Sequence, residues 1–208
     1  MYTSYRPNNY FTACSRNTIT VRSTRNPNQR MKVYYLMDYL PKRYDGTAEQ
    51  IQDRQSIYDF KDGCCEERIL NGLAGGIRRL ADSNTVVCFV PASSAIKTII
   101  RYSVVAERLQ EMTKVKCSFF AIEKKEDGEA GHISGKSADP AADFVFSSSF
   151  FSGKKVILID DVITRGTTLE TTARRLKELG AKEVIGMVVG KTINPDWTGG
   201  ENRNIEKL

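Results

Sequence analysis

Asp160 and Asp161 stand side by side after four apolar residues, Val156, Ile157, Leu158 and Ile159, and Thr164-Arg165-Gly166-Thr167-Thr168 follows only two residues later. Adjacent carboxylates at the end of an apolar strand repel one another unless something outside the chain offsets their charge. The run after them supplies the opposite chemistry. Successive backbone N–H groups and the hydroxyls of Thr164, Thr167 and Thr168 can converge on an anion held at the positive end of a helix. Hydroxyl acceptors and an anion cradle a few residues apart suit one ligand with hydroxyls at one end and a phosphate monoester at the other. A sugar 5-phosphate has that form.

Other phosphate sites fail on spacing. A P-loop needs G-x-x-x-x-G-K-[ST] and a dinucleotide fingerprint needs G-x-G-x-x-G, whereas Gly166 stands alone in its turn. A receiver domain also ends a strand in paired acids, but it needs most of a domain after them, and only 47 residues follow Asp161 (208 − 161). A metal-binding acidic pair of the kind found in many NTPases stays open, without its glycine-rich loop. A solvated strand end before a capped helix accounts for one Asp and one Thr, not for the whole run.

The elements that must position these residues follow from periodicity. The segment KKVILIDDV is a strand, LETTARRLKELG an amphipathic helix with Leu169, Thr172, Ala173, Leu176 and Leu179 inward and Gly180 past its end, and VIGMVV a strand completing a βαβ unit. Upstream, Ile69, Leu70, Leu73, Ile77 and Leu80 keep helical spacing, and Val86 to Val90 form a strand buried on both faces and ended by Pro91. Ile100, Val104 and Leu109 continue a helix, and KCSFFAI is a second candidate strand. Residues 123–139 make a long polar connection of the kind used as lids. At the start of the chain, TITVRSTRNPNQRMKVYYLM alternates, turns at Asn26-Pro27-Asn28 and resumes, which is a hairpin signature. Strands alternating with helices predict an α/β fold, a mostly parallel sheet flanked by helices, with a small N-terminal β appendage or hood. The expected divisions are residues 1–45 for the hairpin appendage, 46–193 for the core and 194–208 for a tail.

The chain has 208 residues and 40% hydrophobic content, enough for one sizeable core. No apolar run approaches the ~20 residues that span a bilayer, and the first residues lack the apolar stretch of a signal peptide, so a cytoplasmic protein is expected. Five cysteines without C-x-x-C pairing support neither a disulfide framework nor a zinc ribbon. The net charge of +6 is carried by residues 1–35, which hold Arg6, Arg16, Arg22, Arg25, Arg30 and Lys32 and no acid. Such an arm can meet nucleic acid or an anionic substrate, although a solvated or subunit-contacting face is the commoner use.

Four apolar residues, two acids, two apolar residues and T-R-G-T-T resemble the phosphoribosyl pyrophosphate motif of the type I phosphoribosyltransferases. The wider layout is similar to the ComF-like branch, with FVPASS after the first core strand, RYSVVAERL on the next helix, and ISGKSADPAADFVFSSSFFSGKKVILIDDVITRGTTL leading through the motif. The cysteine-rich zinc module of many ComF proteins is absent, and VPASSAIK carries fewer basic residues than is usual there.

The resemblance implies displacement of pyrophosphate from C1 of the activated ribose by a nitrogen acceptor, with Mg²⁺ held mainly through the ligand rather than by direct protein ligands. Asp160 and Asp161 are then the catalytic pair facing the ribose hydroxyls, and Thr164, Arg165, Gly166, Thr167 and Thr168 hold the 5-phosphate. Ala92, Ser93 and Ser94 meet pyrophosphate through backbone N–H groups, in a loop that often holds a non-proline cis peptide. Lys97 and Arg101 add charge, although both residue types also serve as ordinary exposed helix charges. Lys124, Lys125, His132 and Lys136 are possible phosphate contacts of the lid. His132, the only histidine, invites a general-base role, but a lone loop histidine is more often just exposed. Trp197 can stack on a base or anchor the tail. Expected partners are phosphoribosyl pyrophosphate, an unidentified nitrogen acceptor and a second copy as a homodimer, with no membrane. The competing expectation is a protein that binds phosphoribosyl pyrophosphate without turnover while its basic arm contacts nucleic acid.

Overall fold

Val156, Ile157, Leu158 and Ile159 are apolar at every position, so the strand that carries them needs cover on both faces. The computed structural model, which describes residues 17–23, 30–125, 139–195 and 205–207, provides it. In chain order the elements are β1 (Thr18–Arg22), β2 (Arg30–Tyr39), α1 (Ala48–Lys61), α2 (Glu67–Leu80), β3 (Thr85–Phe89), α3 (Ala95–Thr113), β4 (Lys116–Ser118), β5 (Ile122–Lys124), β6 (Phe144–Phe146), α4 (Ser148–Phe151), β7 (Lys155–Ile163), α5 (Thr167–Glu178), β8 (Glu183–Thr192) and β9 (Ile205–Lys207). Seven strands form one sheet in the order β4-β3-β7-β8-β2-β1-β9. The pairs from β4 through β2 are parallel, while β1 is antiparallel to both β2 and β9.

Side chains alternate across a strand, and β7 divides its residues accordingly. Val156 and Leu158 join the core under α5, with Leu169, Ala173 and Leu176. Ile157 and Ile159 face the opposite core, built from α1, α2 and α3 with Ile57, Phe60, Leu73, Tyr102 and Leu109. The parallel sheet with helices on both faces is the architecture expected from the sequence. The N-terminal strands form the antiparallel β addition, and it is continuous with the main sheet, because β2 pairs in parallel with β8 from Val33↔Gly186 to Tyr39↔Thr192.

The structure refines local expectations at three places. Ile100 and Val104 are 50% and 55% exposed, because α3 turns Thr98, Tyr102, Val105, Ala106 and Leu109 inward instead. The helix is as expected, and apolar spacing alone does not mark its inward face, since two of the inward positions are a threonine and a tyrosine. Leu179 caps the end of α5 and is 41% exposed, where the helix has already left the sheet, and Gly180 follows it as expected. KCSFFAI is not one strand. Its first residues form β4 at the edge of the main sheet, and its last begins β5, which pairs with β6 in a separate two-stranded ladder.

Candidate active site

β3 ends at Phe89 opposite Ile159, and the Val90 N–H donates to the Ile159 carbonyl at 2.8 Å. β7 runs on past this point, still paired with β8 through Asp160↔Val188, Val162↔Gly190 and Ile163↔Lys191. Unequal strand length therefore lifts Asp160 and Asp161 above the end of β3, at the carboxyl edge where open parallel sheets bind ligands. The Asp161 N–H donates to Asp160 Oδ1 at 2.8 Å, and the Val162 N–H donates to Asp161 Oδ1 at 2.5 Å. Burial, and then the neighbouring Asp161 charge, push the Asp160 carboxyl well above the ordinary aspartate range. The Asp160 carboxyl therefore resists ionisation until a ligand brings compensating positive charge or hydroxyl donors.

The turn after β7 is formed by its own sequence. Gly166 has φ 74° and precedes the first residue of α5. A Cβ at this position would lie 3.0 Å from Val21 Cγ1, so the turn needs glycine for both its backbone and its neighbour. No side chain caps the start of α5, although the Glu170 N–H bonds the Gly166 carbonyl at 2.8 Å. An uncapped helix start with positive end charge is a ready anion site. Thr164 and Arg165 are exposed, and Thr167 and Thr168 are half-buried. These residues and Asp160 line a single cavity of about 320 Å³ together with Val162, Ile163 and Leu169. Asp160 and the anion cradle thus meet in space as well as in sequence.

The loop after β3 is arranged differently. The Ala92 N–H donates to Thr98 Oγ1 at 2.9 Å, so this group is already used inside the protein. Ser94 is the N-cap of α3, its hydroxyl accepting from the Lys97 N–H at 3.3 Å. Ser93 and Ser94 are exposed, as is Lys97, and no cis peptide bond occurs among the described residues, so the loop lacks the cis peptide that the resemblance implied. Lys124 Nζ donates to the Ser93 carbonyl at 3.1 Å, which brings the start of the long polar connection against the loop. Its stems are ordered by Ile122↔Phe146, Glu123↔Val145 and Lys124↔Phe144, and the Lys125 N–H bonds the Asp143 carbonyl at 2.8 Å. His132, Lys136 and Trp197 lie outside the described residues.

Arg101 is bonded to the acidic pair. It donates through Nη1 to Asp161 Oδ2 and through Nε to the Lys61 carbonyl at 3.2 Å. Burial works against its positive charge, but Asp161 and then Tyr102 outweigh that and raise its pKa. Lys61 Nζ lies 4.0 Å from Asp161 Oδ1. Lys61 was missed from the sequence, since α1 is polar and buries only Ser56, Ile57 and Phe60. A signal did exist in Gly63, which has φ 89° and where a Cβ would lie 2.5 Å from the Ile100 carbonyl; a glycine just after a helix marks such a close approach. Tyr102 was missed as well. It is fully buried, its hydroxyl has no hydrogen-bond partner among the described residues, and its pKa is raised well above the usual value by burial and then by Asp160 and Asp161.

A second cavity of about 330 Å³ lies at the other end of the sheet, lined by Met31, Arg174, Lys177 and Val184 among others. It contains none of the paired acids or turn hydroxyls.

Residues 60–192 match the family model of the phosphoribosyl transferase domain. A stretch of 44 residues is 50% identical to amidophosphoribosyltransferase of Rattus norvegicus, covering 21% of this chain and 8% of that protein, and the Mus musculus protein matches with the same figures. The chain therefore spans less than a tenth of the length of these curated relatives. Among solved structures, an adenine phosphoribosyltransferase aligns over 88% of this chain and 89% of its own at 13% identity, with a TM-score of 0.42. The allosteric regulatory enzyme of purine biosynthesis aligns over 65% of this chain and 26% of its own at 23% identity, with a TM-score of 0.39.

Proposed function

The chain belongs to the phosphoribosyl transferase domain family, and from that premise we propose that it transfers the phosphoribosyl group of 5-phosphoribosyl 1-pyrophosphate to a nitrogen acceptor, releasing pyrophosphate. The observation that carries this reading is the single cavity shared by Asp160 and the turn at residues 164–168. The turn holds the 5-phosphate through N–H groups at the uncapped start of α5 and through threonine hydroxyls. That grip fixes the sugar so that Asp160 and Asp161 accept from its 2- and 3-hydroxyls. As the bond from C1 to pyrophosphate lengthens, positive charge develops on the sugar, and the carboxylates stand near it. The lid, with Lys124 and Lys125 at its stem, excludes water from the cation.

Magnesium fits as an ion carried by the donor. Among the described residues no cluster of three or more His, Cys, Asp or Glu can hold a metal alone, and Asp161 already faces two protein cations. Asp160 and Asp161 would hold it through the sugar hydroxyls and water. When bound it neutralises the pyrophosphate leaving group. Within the family, the order of FVPASS, RYSVVAERL and the motif supports a place near the ComF-like branch.

The test is pyrophosphate release measured with a panel of nucleobases and amines, in the presence of magnesium, against the Asp160→Asn/Asp161→Asn double variant. Release with one acceptor that is lost in the variant supports the transferase. Saturable donor binding without release supports a regulatory binder. Failure of the donor with magnesium to raise the melting temperature would reject both.

A further inference from the structure

We infer that Arg101 makes the site selective for the pyrophosphate-bearing donor over the same sugar phosphate without pyrophosphate, by exchanging its bond to Asp161 for one to the leaving group. This rests on the proposed reading of the site and extends it to the question of which sugar phosphates are admitted.

Both oxygens of Asp161 are engaged when no ligand is present. Oδ1 accepts from the Val162 N–H at 2.5 Å with Lys61 Nζ 4.0 Å away, and Oδ2 accepts from Arg101 Nη1. A sugar hydroxyl that is to donate to Asp161 must compete with one of these partners. The Val162 N–H belongs to β7 and cannot leave without the strand. Lys61 is 33% exposed at the longer distance and already has water as an alternative. Arg101 is the partner whose replacement is costly, because the Arg101 and Asp161 side chains are each only 13% exposed. Breaking a nearly buried pair leaves an uncompensated charge unless a new partner arrives.

A ligand lacking pyrophosphate offers only a neutral hydroxyl in place of a guanidinium. The Arg101 charge is then stranded between Asp161 and the Lys61 carbonyl, and binding is opposed. The donor supplies what is missing. Arg101 stands on the second turn of α3, the helix that Ser94 caps, so a donor whose pyrophosphate seats on the exposed Ser93 and Ser94 would bring its anionic oxygens to the helix that carries the guanidinium. Charge-assisted bonds to a phosphate oxygen replace those to the carboxylate, and Asp161 is released to the sugar hydroxyls. One carboxylate partner is exchanged for another anion, and no charge is left buried alone. Ribose 5-phosphate, formed when the donor is hydrolysed, cannot drive that exchange.

The experiment is calorimetric titration of the full chain with phosphoribosyl pyrophosphate and with ribose 5-phosphate, both with magnesium, for the wild type, Arg101→Gln, Arg101→Lys and the remote Arg108→Ala. Arg101→Gln keeps the length of the side chain, and a thermal melt of each variant establishes that it folds. The expected result is opposite signs: in Arg101→Gln ribose 5-phosphate binds more tightly and the donor more weakly, so that the preference for the donor falls by roughly tenfold to a hundredfold. Arg101→Lys should fall between, because it keeps charge without the fork, and Arg108→Ala should match the wild type. Weakening of both ligands by a similar factor in Arg101→Gln, or an unchanged ratio, overturns the inference while leaving the site intact. A wild type that binds neither ligand overturns the reading of the site together with it.

Discussion

Residues 164–168 lie in one continuous piece of chain that runs from the end of β7 into the first turn of α5, whereas the groups around Asp161 and the loop after β3 come from the end of α1, the start of α3 and the stem at β5. The two regions also differ in what their polar groups do without a ligand. The turn leaves the start of α5 uncapped by any side chain. On the other side, the Ala92 N–H bonds Thr98, Ser94 caps α3, Lys124 holds the Ser93 carbonyl, and Arg101 is locked to Asp161. A preorganised end binds without rearrangement, while an end whose groups are satisfied internally must exchange partners. On the proposed reading, phosphate anchoring belongs to the first and discrimination to the second.

The contrast breaks most visibly at the acids that lie between the two ends. Asp160→Asn with Asp161→Asn removes the charge facing the reacting sugar, and turnover measured by pyrophosphate release should fall by at least roughly 10²- to 10³-fold. Survival of turnover would mean that the acids do not face the sugar. The preorganised end is tested by Gly166→Ala. With φ at 74° and Val21 Cγ1 3.0 Å from the new methyl, the variant should lose about 1–2 kcal/mol of stability in denaturant titration and weaken ribose 5-phosphate binding about tenfold. Unchanged affinity would show that the turn is not the anchor.

A pH profile sharpens the comparison with a smaller effect. The carboxyl of Asp160 has a folded-state pKa raised above its unfolded value, so the native state holds a proton that the unfolded chain has released. Stability then falls as pH rises from the ordinary aspartate range through the raised value, and does not change below it. Asp160→Asn should flatten that slope and raise the neutral-pH melting temperature of the ligand-free protein by a few degrees, while ligand binding is impaired. An identical slope in the variant would contradict it. The smallest effect is expected at Ser94→Ala, where loss of the α3 cap should cost about 1 kcal/mol by thermal melt and lower donor affinity more than ribose 5-phosphate affinity. Equal losses for the two ligands would erase the distinction between the ends.

The same contrast explains what the sequence disclosed. The acids, the glycine turn and the helix after it were legible because their partners are near neighbours in the chain and their geometry follows from φ, helix polarity and strand alternation. Arg101 was legible as a charge near the site but not by its partner, because the residues it contacts are 40 and 60 positions away. Lys61 was hidden by a helix whose inward face offers only Ile57 and Phe60 as apolar markers. The helix α3 was legible but its inward face was not, because burial there follows Tyr102 and its place over Phe89 rather than the isoleucines. KCSFFAI split because three residues complete the sheet edge and the chain then leaves it. No pattern of residue types announces where a strand stops being needed.

The match to residues 60–192 omits β1 and β2, yet these strands do more than decorate the fold. Trimming the chain to the matched residues would take Val21 away from the phosphate turn and strip β2 from β8, turning an interior strand into a long unprotected edge with its backbone groups from Gly186 to Thr192 open to any passing chain. Such edges template self-association. The smallest piece that carries the motif is therefore a recipe for aggregates, and the boundary of a recognisable sequence is not the boundary of a foldable unit.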